Sequence, residues 1–383
     1  MTWSRCCAIV CIALLSNGAN AQTGWTRLSS VDALDVAFTE RLSAPEIYAQ
    51  TVSDQAWTFP EGDLFPILFP LLAQVNLSMM DPSSRGERLE KVAVLATMAI
   101  EVLEARLGRR VEQIDDANGE ATYIGQVNLA LSAFRLIGGD DRFEPQNRHL
   151  SAILHRAIAE RHGAPIESWP GLLWPFDTLP AVLSLRVRDA ARKTHEHDGL
   201  VRKYLAWMDA KGRDPGTGLP ASQLDPASLE FLVEPRGCDL SYRIALLSML
   251  DRNRAIRLYH RYVKHHWLER ETWSGFAEYS NGKAGRVDAD SGPIFDGLGL
   301  SATGFGLAAT RAMGDEDRWN TLRAQADQLT LLIELGLSTG AVPVVPPGIE
   351  LEAGYVTGFL FGDAALYWAA TFADWGIELP PEL

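Results

Sequence analysis

Acidic and aromatic side chains are concentrated in a few stretches of this sequence that lie between segments with a helical pattern. The stretch IESWPGLLWPFD contains Glu167, Trp169, Trp174 and Asp177, and the stretch VDADSGP contains Asp288 and Asp290. Two carboxyl groups can act as general acid and general base when burial raises the pKa of one and a cation keeps the other ionised. Beside aromatic faces, such a pair suits the cleavage of a C–O bond in a sugar or an alcohol.

The roles follow from residue type. We expect Asp177 or Glu167 to be the proton donor, and Asp290 or Asp288 to act as the base or to position water. The arginines Arg236 and Arg286 can orient substrate oxygens or keep the acids ionised. The aromatic surfaces for a substrate are Trp169, Trp174, Trp273, Tyr279 and Tyr123. Further acids in comparable loops are Glu61, Asp63, Asp115, Asp116, Glu120, Glu278 and Asp239.

Each of these residues also has a structural interpretation. Asp177 precedes a helical segment and could cap it, and the acids at 288 and 290 could do the same or pair with Arg286. Glu167 could be a solvated surface residue. Tryptophans such as Trp169 and Trp174 are more often loop or core anchors than ligand platforms. The sequence leaves these alternatives open.

Metal, cofactor and thiol chemistry are not predicted. His195 and His197 flank Glu196, and His260, His265 and His266 share a basic segment, but neither group supplies three ligands at a good spacing. The stretch GLGLSATG follows no strand and lacks the lysine of a phosphate-binding loop. No Gly-x-Ser-x-Gly sequence is present, and Cys238 has no obvious histidine partner. We therefore expect no metal and no cofactor.

The elements that must position the acids are helices, because apolar residues recur at spacings of three and four while alternating runs are scarce. The pattern predicts twelve helices: Val31–Arg41, Asp63–Met79, Arg88–Leu107, Tyr123–Ile137, Gln146–Arg161, Asp177–Arg192, His197–Lys211, Cys238–Leu250, Arg252–Trp267, Ile294–Met313, Glu316–Leu335 and Gly358–Trp375. Pro66 and Pro70 should break or distort the second of them.

The connections between these helices alternate between short turns and long loops. In a series of antiparallel hairpins every second connection lies at the same end, so six long loops should gather on one face. This predicts an all-α fold, an (α/α)6 barrel of six helical hairpins, with the acids on its loop-bearing rim. Pro293 should start the tenth helix, whose Gly297, Ser301, Gly304 and Ala308 would form a small face for close packing.

Composition and the first residues indicate where the protein works. The formal net charge is −14, which disfavours nucleic acid and anionic membranes as partners. Residues 1–21 have the pattern of a cleavable signal peptide, with a cationic start, the apolar stretch CCAIVCIALL and the small residues Ala19 and Ala21 before Gln22. We expect a periplasmic or secreted protein without a membrane anchor, with residues 22–383 forming one domain. Only Cys238 follows the leader, so no internal disulfide is expected.

From Tyr123 onward the sequence resembles the linalool dehydratase/isomerase family of secreted bacterial α/α barrels. Four segments carry the resemblance: YIGQVNLALSAFRLIGGDDRFEPQNRHLSAILHRAI, WPFDTLPAVLSL, YLAWMDAKGRDPGTGL and VDADSGPIFDGLGLSATGFGLAATRAMGDEDRW. The resemblance implies the same barrel, and it implies a site at Gln126, where the family has a histidine. At the family's two cysteine positions this chain has Ser168 and Asp177, while its aspartate-rich stretch corresponds to Asp288 and Asp290. Members of the family form rings, so the resemblance also implies a homo-oligomer, but no segment identifies an interface.

These observations favour a glycoside hydrolase that uses a carboxylate pair at the mouth of the barrel. An acid in place of a cysteine suggests that the scaffold is kept while the thiol chemistry is lost. Two alternatives remain open. One is dehydration or isomerisation of a small terpene alcohol, as the resemblance implies, and the other is a glycan-binding barrel without catalysis.

Overall fold

The computed structural model describes residues 31–56, 61–271, 273–339, 352 and 354–380. The signal peptide predicted at residues 1–21 lies outside the described residues. Among the helices that are described, none combines the length and the apolar character needed to cross a lipid bilayer.

The described residues form thirteen α-helices and three short antiparallel hairpins. The helices are α1 Val31–Leu42, α2 Pro45–Gln55, α3 Phe65–Met80, α4 Arg85–Leu107, α5 Ala121–Leu136, α6 Glu144–Glu160, α7 Pro175–Arg192, α8 Asp198–Ala210, α9 Gly237–Leu250, α10 Arg252–His266, α11 Leu300–Met313, α12 Glu316–Thr339 and α13 Leu360–Thr371. The paired strands are β1 Gln223–Leu224 with β2 Phe231–Val233, β3 Trp267–Glu269 with β4 Ser274–Phe276, and β5 Ile294–Phe295 with β6 Leu298–Gly299.

Six helices form a closed inner ring. Helices α3, α5, α7, α9, α11 and α13 each pack against the next, and α13 packs against α3 to close the ring. Six outer helices surround this ring: α1, α4, α6, α8, α10 and α12. Helix α1 packs against α13, and each of the others packs against an inner helix next to it in the chain. Nearly all residues of α5 and α9 are buried, as expected for helices surrounded on every side. The predicted (α/α)6 barrel is confirmed.

The alternation of loop lengths is also confirmed. The chain passes from an inner to an outer helix through short turns, such as the single residue Asp251. It returns through long segments such as 161–174, 211–236 and 267–299. Because each long segment leads into the N-terminus of an inner helix, the long segments share one end of the barrel. The first one holds α2, a helix that the sequence pattern did not predict.

The predicted start of the tenth helix is wrong. Residues 294–299 form the hairpin β5–β6, with φ of +84° at Gly297, and the helix begins only at Leu300. A Cβ on Gly304 would meet nothing within 4 Å, so this glycine is not needed for packing. The glycine that is needed in this helix is Gly306, where a Cβ would lie 2.6 Å from the ring of Phe276. The sequence identified a small face but chose the wrong glycines.

The prediction that proline breaks the second helix is also wrong, because α3 is continuous through Pro70. Proline lacks an N–H and therefore leaves the carbonyl group four residues earlier without a helical partner. That carbonyl belongs to Pro66, and it accepts a hydrogen bond from the hydroxyl of the buried Tyr48. A tertiary contact thus satisfies the group that the proline frees.

A polar cluster connects the start of the chain to its end. The carboxylate of Asp35 in α1 accepts hydrogen bonds from Gln74 in α3, Arg88 in α4 and Tyr367 in α13, at 2.8, 3.0 and 2.5 Å for its Oδ1. Arg88 also donates to Asp35 Oδ2 at 3.0 Å. Because α13 completes the inner ring, these hydrogen bonds stabilise the closed ring by linking α13 to α1, α3 and α4.

Candidate active site

Asp177 lies in the first turn of α7, at the loop-bearing end of the inner ring, and its residue surface is only 2% exposed. Its Oδ1 is buried without a hydrogen-bond partner among the described residues. Burial raises the pKa of this carboxyl to about 7, and the charge of Asp290 adds to the rise, while the hydroxyls of Ser168 and Thr122 oppose it. A carboxyl group in this environment retains its proton close to neutral pH.

Two further carboxylates belong to the same electrostatic cluster. Burial, together with the charges of Asp177 and Asp290, raises the pKa of Glu61 to about 8. The Asp290 side chain is 59% exposed, yet the surrounding protein raises its pKa as well. Neighbouring protein can thus perturb the carboxylate although much of its surface is in contact with solvent. Its exposure matters more for function, because it leaves this carboxylate accessible to a substrate.

Arg236, the residue before α9, organises the acids on the opposite side of the cluster. Its Nε donates to Glu278 Oε1 and its Nη2 donates to Asp288 Oδ1, both at 2.7 Å, and its Nη1 lies 3.8 Å from Asp290 Oδ2. Burial alone would raise the pKa of Asp288, but the hydrogen bond and charge of Arg236, the N–H of Ser291 and the charge of Arg286 together lower that pKa. Arg236 therefore supplies the positive charge that favours the ionised form of these aspartates.

Beneath Arg236, a fully buried carboxylate fixes the start of α9. Glu278 accepts hydrogen bonds from Arg236, from the backbone N–H of Cys238 at 3.1 Å and from the Cys238 thiol at 3.2 Å. Burial raises the pKa of the thiol well above its usual range. A neutral, buried thiol that donates to a carboxylate is a poor nucleophile, which favours the structural role expected for Cys238.

Aromatic residues form the wall next to Glu61. The hydroxyl of Tyr123 donates to Asp63 at 2.5 Å, and the Tyr123 ring contacts the Trp169 ring edge-to-face with centroids 5.6 Å apart. The guanidinium of Arg106 lies over both rings, 4.5 Å from the centroid of Tyr123 and 4.1 Å from that of Trp169. The sequence analysis did not select Arg106, since it falls within a helix rather than a loop.

Gln126 lies one turn deeper than Tyr123 in α5 and is fully buried. Its amide nitrogen donates to the hydroxyl of Tyr242 in α9 at 3.0 Å. The pKa of Tyr242 is raised mainly by burial, and the charge of Asp177 contributes to that rise. These two polar groups therefore lie near Asp177 inside the ring, where they can contact a small group that reaches past the acid.

Glu167, one of the two predicted proton donors, lies in the loop that precedes α7. Its Oε2 accepts a hydrogen bond from the backbone N–H of Gly171 at 2.8 Å, within the turn that leads towards Asp177. Its backbone carbonyl accepts bonds from Gly119 and Ala121, so the residue joins two loops. The residue therefore connects the rim loops, and one of its carboxylate oxygens is engaged within the turn.

The remaining predicted residues divide into two groups. Trp174 precedes α7, and its backbone is hydrogen-bonded to Ser168 Oγ. The exposed Arg286 acts electrostatically on both Asp288 and Asp290. Both residues therefore lie near the acids. Tyr279 instead donates its hydroxyl to the carbonyl of Arg286 and supports that loop from below.

Trp273 lies between β3 and β4, at the end of their hairpin. The neighbouring Ser274 N–H bonds to Gln325 of the outer helix α12. This hairpin therefore directs its end towards the outer layer of helices, and the predicted stacking role of Trp273 is not supported.

A possible metal-binding group occurs elsewhere, although the sequence predicted none. Ligand atoms of Asp189, Glu196 and His197 all lie within 4.8 Å of one another. The sequence analysis considered His197 and Glu196 but could not connect them to Asp189 in α7. The Asp189 carboxylate already accepts bonds from the N–H groups of Glu196 and His197 and from the hydroxyl of Thr194, which explains its burial without a metal.

One histidine of the basic segment lies inside the protein rather than on its surface. His266 is fully buried, with Nδ1 at 2.9 Å from the Ala277 carbonyl and Nε2 at 3.1 Å from Ser280 Oγ. Burial lowers its pKa to about 4, so it is neutral at physiological pH. It joins α10 to the segment that precedes the acid-bearing loop.

The fold and the site together define an (α/α)6 barrel with a carboxylate cluster at one mouth, and known structures share this barrel. No protein-family model matches the chain. An α-1,6-mannanase of glycoside hydrolase family 76 from Salegentibacter sp. HEL1_6 is similar, with a TM-score of 0.52 and 13% identity over 89% of this chain and 97% of the mannanase.

Two further structures of that mannanase are inactive variants in which two adjacent aspartates are replaced. The alanine variant, in complex with α-1,6-mannotetraose, has a TM-score of 0.53 and 13% identity over 89% of this chain and 97% of that one. The asparagine variant, in complex with α-1,6-mannotriose, has a TM-score of 0.53 and 14% identity over 89% and 98%. At these identities the likeness establishes a shared fold.

Proposed function

We propose that this protein is a glycoside hydrolase in which Asp177 donates a proton to the leaving oxygen and Asp290 serves as the second carboxylate. The observation that carries this proposal is the contrast between the two coupled acids. Asp177 is buried with a pKa of about 7, whereas Asp290 is exposed beside Arg236. Glycosidases need one carboxyl group that is protonated at working pH and one that is ionised.

The chemistry follows from these environments. Protonated Asp177 transfers its proton to the glycosidic oxygen as the C–O bond breaks, and positive charge develops on the sugar ring. Ionised Asp290 either removes a proton from the attacking water or attacks the anomeric carbon itself. Arg236 opposes the rise in the pKa of Asp290 and so favours its ionised form, and Arg236 is itself held in position by the buried Glu278 before substrate binds.

Glu61 is a second candidate for the proton donor, because its pKa of about 8 also keeps it protonated at neutral pH. It differs from Asp177 in its position, since it precedes α3 and lies next to Asp63, the residue that Tyr123 contacts. Conservative amide variants of both residues separate the two assignments, because only loss of the true donor removes turnover of substrates with poor leaving groups.

The similar structures suggest which substrate to test first. Since the mannanase binds α-1,6-linked mannose oligosaccharides, we propose an α-linked mannan or a related polymer as the substrate. An exposed Asp290 suits a polymer, which needs an open cleft. Two exposed aromatic rings in the long loops, Phe231 and Phe295, could stack on sugar faces, and the sequence analysis did not select them.

We also propose that the enzyme acts outside the cytoplasm, in the periplasm or after secretion. The support is the leader pattern of residues 1–21, and a polymeric glycan is a substrate encountered outside the cell. Expression of the full chain, followed by N-terminal sequencing of the exported protein, tests this point. A mature protein that still begins at Met1 contradicts it.

The activity test uses a panel of glycans that includes α-1,6-mannan, with release of reducing ends as the measurement. We expect turnover by the wild type and none by Asp177→Asn or Asp290→Asn. Asp116→Asn is the matched control, because Asp116 is exposed and adjacent to Asp115, as the essential aspartates of the mannanase are adjacent to each other. Loss of activity in this control, with full activity in the other two variants, would move the catalytic pair to Asp115 and Asp116.

The resemblance to linalool dehydratase/isomerase supports a second candidate function. A buried, protonated Asp177 near the ring interior could protonate the hydroxyl of a small terpene alcohol, with Gln126 and Tyr242 contacting the substrate. Gas chromatography after incubation with linalool and related alcohols tests this activity. Conversion of these alcohols, without hydrolysis of any glycan, would replace the first proposal. Saturable glycan binding in calorimetry without turnover would instead indicate a binding protein.

A further inference from the structure

A cavity of about 390 Å³ lies in the outer layer of the barrel, away from the acid cluster. It opens between the outer helices α8 and α10, under the loop that follows α8, and Leu247 of the inner helix α9 forms part of its wall. Four arginines line it: Arg213, Arg254, Arg257 and Arg261.

The spacing of these arginines explains why they converge. Arg254, Arg257 and Arg261 follow one another at intervals of three and four along α10, which places them on one face of the helix. Arg213 faces them from the loop, where its Nε and Nη1 bond to the carbonyls of Asp209 and Gly218 at 3.1 and 3.0 Å. The loop thus holds the fourth guanidinium in a fixed position.

The acids at the cavity do not balance this charge. Asp209 lies between two of the arginines, 3.3 Å from Arg213 Nη2 and 2.8 Å from Arg254 Nε. Asp251, the residue before α10, pairs with Arg254 in the first turn of that helix. By contrast, the side chains of Arg257 and Arg261 have neither an ion pair nor a hydrogen bond with any residue that the structure describes.

Arg257 and Arg261 are exposed, and solvent weakens the repulsion between the guanidinium groups without removing it. Like charges near one another repel, and the effect is visible at Arg213, whose pKa is lowered by burial and by the neighbouring Arg261, Arg243 and Arg257. The chain as a whole carries a formal charge of −14, so the charge of this cavity is opposite in sign to the net charge of the protein. A bound anion would relieve the repulsion and use the two unpaired guanidinium groups.

We propose that this cavity is a binding site for a tetrahedral oxyanion of the phosphate or sulfate type. Guanidinium groups present planar pairs of N–H donors that match two oxygens of such an anion. The anion comes either as a free ion or as a phosphate or sulfate group on a glycan. Arg257 and Arg261 bind it directly, while Arg213 and Arg254, held by Asp209, contribute positive charge from the rim of the site.

The test is calorimetric titration of the full chain with inorganic phosphate and with mannose 6-phosphate, each against sodium chloride at equal ionic strength. We expect saturable binding of phosphate. Arg257→Gln and Arg261→Gln should each weaken it about tenfold, the loss of roughly 1.4 kcal/mol expected for one charge-assisted contact. Arg148→Gln, an exposed arginine on the outer helix α6, is the matched control and should bind as the wild type does.

The outcomes distinguish the two sources of the anion. Tighter binding of mannose 6-phosphate than of phosphate identifies a substituted glycan as the source, and equal binding identifies the free ion. Heat signals no larger than those of chloride, or unchanged affinity in both arginine variants, would overturn the proposal. The titration of the wild type tests the proposal even if the arginine variants do not fold. Because the arginines lie outside the acid cluster, glycan hydrolysis by the variants should be unchanged, so the two proposals fail independently.

Discussion

Replacing Asp177 by asparagine should remove turnover and, at the same time, make the folded protein less sensitive to rising pH. The folded protein favours the protonated carboxyl, because burial raises its pKa from an ordinary value of 3.8 to about 7. The stability that this preference provides is complete below the unfolded value. It is lost as the pH rises from about 4 to about 7, because the unfolded chain ionises first.

The size of the effect follows from the two pKa values. A difference of one pKa unit corresponds to about 1.36 kcal/mol. Ionising Asp177 in the folded protein therefore costs about 4 kcal/mol more than in the unfolded chain. Asparagine has almost the same shape and cannot ionise, so the variant avoids this cost. The free energy of unfolding of the variant, relative to that of the wild type, should therefore increase by up to about 4 kcal/mol between pH 4 and pH 7.5.

The assay is urea denaturation followed by circular dichroism, carried out at several pH values on the wild type, Asp177→Asn and the exposed control Asp116→Asn. Comparing differences at each pH cancels the effects of the other titrating groups and any constant effect of the amide. Parallel curves for wild type and Asp177→Asn would show that Asp177 is as well solvated in the fold as in the unfolded chain. That result would refute both the shifted pKa and its use as a general acid.

Three other predictions follow from contacts that the structure shows. Arg236→Gln should lower the free energy of unfolding by about 3–5 kcal/mol in urea denaturation, because it leaves the buried Glu278 without its cation; a loss below 1 kcal/mol would contradict this. Glu167→Gln should retain wild-type kcat in the glycan assay, since an amide oxygen can still accept the bond within the turn, and an inactive variant would restore it as a proton donor. Tyr48→Phe should cost about 1–3 kcal/mol by thermal denaturation, because the carbonyl of Pro66 loses its buried partner, and an unchanged Tm would show that this bond is not needed.

The barrel could be predicted from sequence because its signals repeat along the whole chain. Apolar spacing identified the helices, and loop length separated the two ends without any knowledge of contacts. The errors occurred where a distant partner decides the local structure. The segment 294–299 pairs as a hairpin, and Leu298 also bridges to Ala277. Pro70 stays within a helix because Tyr48 satisfies the carbonyl that it frees.

For the candidate site, the sequence allowed a prediction of which acids would lie near one another. Placing long loops at one end was enough to bring Asp177 and Asp290 into one cluster, even though more than a hundred residues separate them. Glu61 was named only as a further loop acid and not as a proton donor, because its raised pKa depends on burial and on those two acids, which its neighbours in the sequence do not reveal. The difference between Glu167 and Asp177 required coordinates, since Glu167 accepts a hydrogen bond within the turn before α7 whereas Asp177 is buried in the first turn of that helix.

The hydrogen bond that Tyr367 donates to Asp35 has a consequence for the synthesis of the protein. It joins residues 332 positions apart, so the ring stays open during synthesis until α13 has left the ribosome. Until then the apolar sides of α3 and α11, which α13 will cover, have no partner. Contacts between such distant residues form slowly, and the incomplete chain exposes surface that favours aggregation. A nascent chain that stops before α13 should therefore depend on chaperones that the finished barrel no longer needs.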